Sequence, residues 1–314
     1  MSLVKTALNL ASPAGARARL SILIYHRVQA EPDPLFPDEM HARRFDELCG
    51  WLARDFNVLP LDAAIAALQA GRLPARACCI TFDDGYADNL HVAAPVLHKH
   101  GLPSTVFVST GFLDGGRMWN DTVIEVMRRA PKGRLDLAEL GLAGVELNGA
   151  TSRRLAAEAV IDAIKYQPIE ERLARTEALV RLARVTPPDD LMLSSDELRR
   201  LHGQGVAIGA HTVSHPILAR LDAEAARNEI AAGRAQLEKL LGERVALFAY
   251  PNGRPGRDYL PEHVDMVREL GFDAAVSTTW GATRSTTDRF QLPRFTPWDE
   301  TQTRFGLRML RNLL

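Results

Sequence analysis

Two adjacent carboxylates, Asp83 and Asp84, stand between the apolar residues 78–82 and Gly85. A short apolar run that ends in turn residues predicts a strand buried on both faces. Carboxylates at the carboxyl end of such a strand occupy the place where α/β-barrel enzymes carry their reactive groups. Two like charges in a buried site are costly unless a cation or hydrogen bonds replace the lost hydration. We therefore expect a positive group beside this pair.

A second polar group, His211 and His215, follows the apolar residues 206–210. On a helical turn, a spacing of four residues brings both imidazoles to one side, which suits a transition metal. Taken alone, the two histidines are equally well explained as ordinary polar groups with other partners. Together with the aspartates at another strand end, they favour one divalent ion with vacant coordination positions. Zinc is the first choice, although Co²⁺ and Ni²⁺ accept the same oxygen and nitrogen donors.

The segments that must position these side chains alternate between strand and helix. Helix-period patterns cover residues 41–55 and 222–241, and apolar runs that predict buried strands cover residues 21–25, 77–82, 104–109, 206–210, 245–250 and 274–277. Alternation of this kind predicts a parallel sheet. Ligand groups at the ends of several strands favour a closed or nearly closed sheet, so the fold class is α/β, a distorted (β/α)7-type barrel.

Residues of about 113–193 lack strand runs and are charged and helical in pattern. The predicted domains are therefore an N-terminal arm over residues 1–19 and a barrel over residues 20–314 that contains this helical insertion. Trp119 stands at the entrance of the insertion, close to a strand end. The insertion could form a wall of a substrate cleft, or it could pack against the outside of the barrel.

Composition excludes several classes of function. The 38 basic and 39 acidic residues nearly cancel, so we expect no nucleic-acid partner. No apolar stretch is long enough for a membrane span and no signal peptide is evident, which predicts a cytoplasmic protein. Lys5, Arg17 and Arg19 could give the N-terminus a weak membrane contact, although a frayed terminus is the preferred interpretation. The three cysteines form neither a disulfide framework nor a zinc pattern.

Two segments, residues 81–85 (TFDDG) and 211–215 (HTVSH), resemble the first two motifs of the polysaccharide deacetylases. This family is also called the NodB-homology domain or carbohydrate esterase family 4, and the resemblance extends over residues 20–295. It implies a barrel that removes acetyl groups from N-acetylglucosamine-type polymers or related amide substrates. It further implies that Asp83 is the general base and that Asp84, His211 and His215 bind the metal, which activates the water that attacks the acetamide.

A third motif is matched only in part by residues 248–253. Ala249 stands where the family usually has arginine, and Asn252 stands where it usually has tyrosine. The main-chain N–H of Asn252 remains a candidate donor to the oxyanion, and Tyr250 is counted with it as a substrate contact. The group that orients the base must come from elsewhere, and Arg294 is the candidate.

The general acid of most family members is a histidine in a C-terminal Leu-x-His motif, but no histidine follows His263. Residues 24–26, Ile-Tyr-His, resemble that motif moved to the front, as in the circularly permuted branch that includes poly-N-acetylglucosamine deacetylases. His26 is therefore the candidate acid, with Ile24 lining the acetyl-methyl pocket. Trp280 could shape the same pocket, although a lone aromatic residue is more often a packing residue.

These observations predict a metal-dependent hydrolase that removes acetyl groups from N-acetylated sugars, in a polysaccharide or a glycolipid precursor. The acetylated carbohydrate is the expected partner. A cyclic amide or imide hydrolase on the same barrel is the enzymatic alternative. The alternative from another class is a catalytically silent carbohydrate-binding domain.

Overall fold

The computed structural model describes residues 3–314, with side chains from residue 5 onwards. Its strands are β1 (Ser21–Tyr25), β2 (Asn57–Val58), β3 (Ala77–Phe82), β4 (Thr105–Val108), β5 (Arg134–Leu135), β6 (Val145–Glu146), β7 (Ala207–Ala210), β8 (Leu247–Ala249) and β9 (Ala274–Val276). Its α-helices are α1 (Leu3–Ala11), α2 (Ala42–Asp55), α3 (Leu61–Gln69), α4 (Ala94–His100), α5 (Trp119–Arg129), α6 (Ala150–Ile164), α7 (Ile169–Ala183), α8 (Ser195–Gly203), α9 (Ala223–Leu241), α10 (Pro261–Glu269) and α11 (Gln302–Leu313).

The chain forms two compact units. The first comprises the residues up to 31 together with 40–114 and 193–314, and the second comprises residues 32–39 and 115–192. All the strands except β5 and β6 lie in the first unit. The chemistry-bearing residues of the two strand-end motifs therefore belong to a single unit.

A curled parallel sheet forms the centre of the first unit. Its strand order is β1-β3-β4-β7-β8-β9, with β2 paired to the beginning of β3. Residues 292–295 then connect the two edges: the Leu292 N–H donates to Ala275 O (2.9 Å), and the Phe295 N–H donates to Ile22 O (3.1 Å). The predicted α/β fold, a distorted (β/α)7-type barrel, is confirmed.

Alternate residues of each strand face opposite sides of this sheet. Ile22, Cys79 and Val276 pack in an inner cluster, to which α3 contributes as well. Their sequence neighbours, such as Leu23 and Cys78, pack in an outer cluster against the surrounding helices. This alternation places Ile24, Thr81 and Asp83 on the inner side, at the carboxyl end of their strands.

The second unit has its own core, formed mainly by α5, α6 and α7. Its two short strands, β5 and β6, pair in antiparallel fashion. A buried carboxylate, Asp33, is held by Arg128 at 2.6 Å, and the same guanidinium pairs with Glu125 at 2.9 Å. This unit thus has apolar packing and ion pairs of its own.

The interpretation of the N-terminus as frayed is wrong for residues 3–11. These residues form α1, which packs against α11, and the Leu8 side chain is buried. An amphipathic helix is stable here because its apolar stripe is covered by the first unit. Within residues 3–314, none of the helices combines the length and the apolar character that crossing a membrane requires.

Candidate metal centre and active site

The two aspartates lie where β3 ends, and both side chains are buried. The Asp83 N–H donates to Tyr25 O (2.9 Å), which continues the pairing of β3 with β1 by one residue. The chain then turns at Asp84 and Gly85, whose φ angles are +77° and +89°. Aspartate tolerates this left-handed region better than most residues, and glycine adopts it without strain. The turn lets two consecutive carboxylates face different partners.

The histidines do not lie on a helical turn, so this part of the sequence interpretation is wrong. Residues 211–217 form an irregular loop after β7, in which Thr212 has a φ of +65° and His215 a φ of +53°. A β-branched residue with positive φ is strained and needs support from its surroundings. The buried Thr212 hydroxyl accepts a hydrogen bond from the His215 N–H (3.2 Å), which supplies part of that support.

The loop nevertheless brings the two imidazoles to Asp84. Asp84 Oδ1 lies 3.4 Å from His211 Nε2 and 3.5 Å from His215 Nε2. Two ligands of one tetrahedral zinc ion, with bonds of about 2.0–2.1 Å, are separated by about 3.4 Å. Asp84 Oδ1 is also buried and forms no hydrogen bond with any side chain or main-chain group of residues 3–314. The donor set and its spacing therefore fit a single divalent cation.

The charges of these three side chains are strongly coupled. Burial lowers the pKa of His215 to about 4, so its imidazole is neutral and able to bind a metal at neutral pH. Burial would raise the pKa of Asp84, but the nearby imidazoles, His215 foremost, hold it well below its usual range. For His211, burial lowers the pKa, but Asp84 and Asp83 outweigh that effect and raise it. The site thus holds ionised carboxylates that attract a cation.

Arg294 lies against the other aspartate. Its two terminal nitrogens donate to the two carboxylate oxygens of Asp83, each at 2.7 Å, and its Nε donates to Ser277 O (3.0 Å). Both partners are almost completely buried. Burial would raise the pKa of Asp83, but Arg294 and then His211 lower it. The guanidinium therefore keeps the carboxylate ionised and fixes its orientation.

His26 and Ile24 lie at the carboxyl end of β1, beside this pair. The His26 main-chain oxygen accepts a hydrogen bond from Asn89 Nδ2 (2.9 Å), and the His26 side chain is exposed. Its charge contributes to lowering the pKa values of Asp83 and Asp84, so the imidazole is electrostatically close to both. The structure thus brings His26 to the same edge of the sheet as the aspartates.

Asn252 lies in the loop after β8 with a φ of +59°, and its main-chain oxygen accepts a hydrogen bond from Thr278 Oγ1 (2.7 Å). The next residue, Gly253, passes so close to Thr278 that an added Cβ would lie 2.9 Å from its main-chain nitrogen. The loop is therefore anchored to the segment that follows β9. Ala249, the last residue of β8, directly precedes this loop, and its oxygen contacts His211 Nδ1 at 2.7 Å.

Two predicted substrate contacts, Tyr250 and Trp280, have aromatic packing partners in the outer cluster. Tyr250 is fully buried in the outer cluster, where its ring stacks on that of Tyr259 with a centroid distance of 3.9 Å. Trp280 packs against Phe295, another member of the outer cluster, and Arg308 of α11 lies over its ring. The physical reason is strand alternation, which directs Tyr250 and Phe295 away from the inner side.

One residue that contacts the histidine loop was missed from the sequence. Glu229 of α9 accepts hydrogen bonds from the N–H groups of Val213 and Ser214, both at 2.9 Å, and from Ser214 Oγ at 2.7 Å. The available signal was its position beside the apolar stripe of α9, which contains the buried Ile230. Helical periodicity alone does not say which loop such a residue meets.

Comparison with known proteins gives consistent results. A family model described as polysaccharide deacetylase matches residues 70–275, which include both aspartates and both histidines. The Bacillus subtilis (strain 168) protein YxkH, which has polysaccharide deacetylase in its name, is 29% identical over 143 residues, 45% of this chain. The match spans about half of the length of YxkH, 49%.

Solved structures of deacetylases share the fold. PplD of Streptococcus pyogenes, solved in complex with acetate, has a TM-score of 0.61 at 18% identity, covering 95% of this chain and 99% of that chain. IcaB from Ammonifex degensii has a TM-score of 0.60 at 18% identity, and the match covers 95% of this chain and 98% of the IcaB chain. The family model covers more than half of the sequence and includes Asp84, His211 and His215, the three residues that converge in the structure. The chain therefore belongs to the polysaccharide deacetylase family.

Proposed function

We propose that this enzyme is a metal-dependent hydrolase that removes acetyl groups from N-acetylated sugars in a polysaccharide or a glycolipid precursor. The proposal is carried by one observation. Three side chains with the spacing of metal ligands, Asp84, His211 and His215, lie beside a second carboxylate, Asp83, that Arg294 keeps ionised. A base next to a Lewis-acid site suits the hydrolysis of an unactivated amide by water.

Each residue has a role in this proposal. Asp84, His211 and His215 would hold the ion, with Zn²⁺ as the first choice; a bound ion of this kind withdraws electrons from an acetamide carbonyl and makes water more acidic. Asp83 accepts the proton of the attacking water on a carboxylate oxygen, while Arg294 keeps that carboxylate in place. The C–N bond of the acetamide then breaks, and acetate and the free amine leave.

Three further residues complete the scheme. His26, at the same edge of the sheet, donates a proton to the leaving nitrogen. The main-chain N–H of Asn252 offers a hydrogen bond to the oxygen that becomes negatively charged. Ile24, on the inner side at the end of β1, provides an apolar surface for the acetyl methyl group.

Metal analysis combined with acetate release from short chitin oligomers tests the proposal. We expect about one divalent ion per chain, acetate release that stops when the metal is removed, and its recovery when Zn²⁺ or Co²⁺ is restored. The variant Asp83→Asn should keep its metal and release no acetate, which excludes a contaminating deacetylase. A protein that hydrolyses cyclic amides or imides and leaves every N-acetylated sugar intact would contradict the proposal.

A further inference from the structure

The loop that carries the two histidines is held from one side by a helix that contributes no metal ligand. Glu229 of α9 spans this loop with both of its carboxylate oxygens. Oε2 accepts hydrogen bonds from the N–H groups of Val213 and Ser214, and Oε1 accepts a hydrogen bond from the Ser214 hydroxyl. These residues lie between His211 and His215, so Glu229 fixes the main chain that joins them.

The helix approaches the loop unusually closely at the same place. Gly233 lies one turn after Glu229, and a Cβ added there would lie 2.8 Å from the carbonyl carbon of Thr212. On the other side of the loop, a Cβ added at Gly111 would lie 2.8 Å from Val213 O. The loop is therefore enclosed between α9 and the segment after β4, and Glu229 is the charged contact within that enclosure.

The conformation of the loop needs such a contact. Thr212 and His215 both have positive φ angles, and conformations of this kind persist only where the surroundings impose them. Two main-chain N–H groups would lose their acceptor without Glu229. Hydrogen bonds from N–H groups to a carboxylate are stronger than those to a neutral acceptor, so this contact can hold a strained loop.

We propose that Glu229 is a positioning residue that sets the metal affinity of the site by holding His215 where it can share an ion with Asp84 and His211. The inference rests on the metal centre of the proposed function, but not on the identity of the substrate. Residues that orient metal ligands without binding the metal themselves typically change metal affinity by about 10–100-fold when they are removed.

Co²⁺ titration of the metal-free, full-length protein, followed by d–d absorption, tests this inference without any substrate. We expect Glu229→Ala to weaken Co²⁺ binding by about 10–100-fold and to alter the absorption spectrum. Glu229→Gln keeps an oxygen for the two N–H groups and an amide donor for Ser214, so it should recover most of the affinity. Glu224→Ala, which removes an exposed carboxylate from the first turn of the same helix, is the matched control and should bind Co²⁺ like the unchanged protein.

The outcomes separate this inference from the proposed function. If Glu229→Ala binds Co²⁺ with unchanged affinity and spectrum, Glu229 has no positioning role. If Glu229→Ala does not fold, the variant Ser214→Ala tests the inference instead, because it removes one of the three hydrogen bonds to Glu229. A measurable loss of Co²⁺ affinity in this variant supports the inference, and unchanged Co²⁺ binding overturns it. If the unchanged protein gives no Co²⁺ spectrum, the proposed metal centre is wrong. Both the proposed function and the role of Glu229 are then rejected. Co²⁺ binding without acetate release would reject only the deacetylase reaction.

Discussion

Asp83 and Asp84 are neighbours in the sequence, but they have different electrostatic partners. Asp83 is paired with a guanidinium through two hydrogen bonds, whereas Asp84 faces two imidazoles and has an oxygen that no hydrogen bond satisfies within residues 3–314. Like charges this close can both stay ionised only if each has its own positive partner. Their environments therefore suit Asp83 to the proposed role of proton acceptor and Asp84 to the proposed role of metal ligand.

The variant Arg294→Met tests the importance of the Asp83 partner. It leaves a buried carboxylate without a countercharge, so we expect the free energy of unfolding to fall by about 3–5 kcal/mol. Acetate release should fall by at least about 100-fold, because the base loses its orientation as well as its charge partner. Urea unfolding and the acetate assay measure the two effects.

The matched control for Arg294 is Arg244→Met. Arg244 pairs with Asp273 through two hydrogen bonds of 2.7 and 2.8 Å, but both side chains are more than half exposed. An exposed ion pair of this kind contributes only about 0–1 kcal/mol. Equal losses of stability in the two variants would mean that burial of the Asp83–Arg294 pair is unimportant.

The variant His26→Ala tests the proposed acid. The imidazole is exposed and lies outside the group of three proposed metal ligands, so its removal should leave Co²⁺ binding unchanged. Turnover should fall by at least about tenfold, because a positioned proton-transfer group typically contributes about 100–10,000-fold. His98→Ala, an exposed histidine on α4, serves as the control. Full activity of His26→Ala would remove this residue from the scheme.

At the level of elements, the site depends on close approaches that only glycine allows. In most helices, replacing an interior glycine by alanine stabilises the helix by up to about 1 kcal/mol. In α9, the Gly233→Ala variant should instead destabilise the protein by about 1–3 kcal/mol, because the new methyl group overlaps the main chain of Thr212. Thermal unfolding and Co²⁺ affinity should both report the displaced loop.

Gly50→Ala in α2 provides the comparison for Gly233→Ala. A Cβ at Gly50 would meet only the His100 ring, at an ordinary contact distance of 3.6 Å. Helix propensity should then dominate, and the variant should be as stable as the original protein or more so. If Gly233→Ala behaves in the same way, the close approach of α9 does not constrain the histidine loop.

Sequence patterns predicted the strands well, because buried parallel strands are short apolar runs. They also predicted that Asp84, His211 and His215 would meet at the carboxyl ends of these strands. They did not predict the loop geometry of His211 and His215, since positive φ angles leave no periodic signal. The sequence alone did not show that the Tyr250 side chain would face the outer cluster, or that Trp280 would pack against Phe295 of that cluster. Glu229 was missed because it lies on α9, whereas its partners Val213 and Ser214 lie in the loop after β7. The helical pattern of α9 does not show that this contact forms.

At the scale of the whole molecule, the barrel is closed by a segment without strand periodicity. Residues 292–295 hydrogen-bond to both β9 and β1, and this closure places Arg294 on the inner side against Asp83. The contact joins residues far apart in the sequence, so only the closed sheet creates it. The orientation of Asp83, the proposed base, therefore depends on closure of the sheet by residues 292–295.

Metal binding at the proposed centre should stabilise the first unit, because the candidate ligands follow β3 and β7, which are far apart in the sequence and meet only in the folded sheet. A ligand that binds only the folded state stabilises it by about 2.7 kcal/mol at 100 times its dissociation constant and by about 4.1 kcal/mol at 1,000 times. The unfolding temperature should therefore rise with Zn²⁺ concentration, and a chelator should reverse the rise. Hydrogen exchange should slow around residues 83–85 and 211–215 and stay unchanged in α6 and α7. His211→Ala should abolish both effects, and an equal temperature rise in that variant would show that Zn²⁺ acts elsewhere.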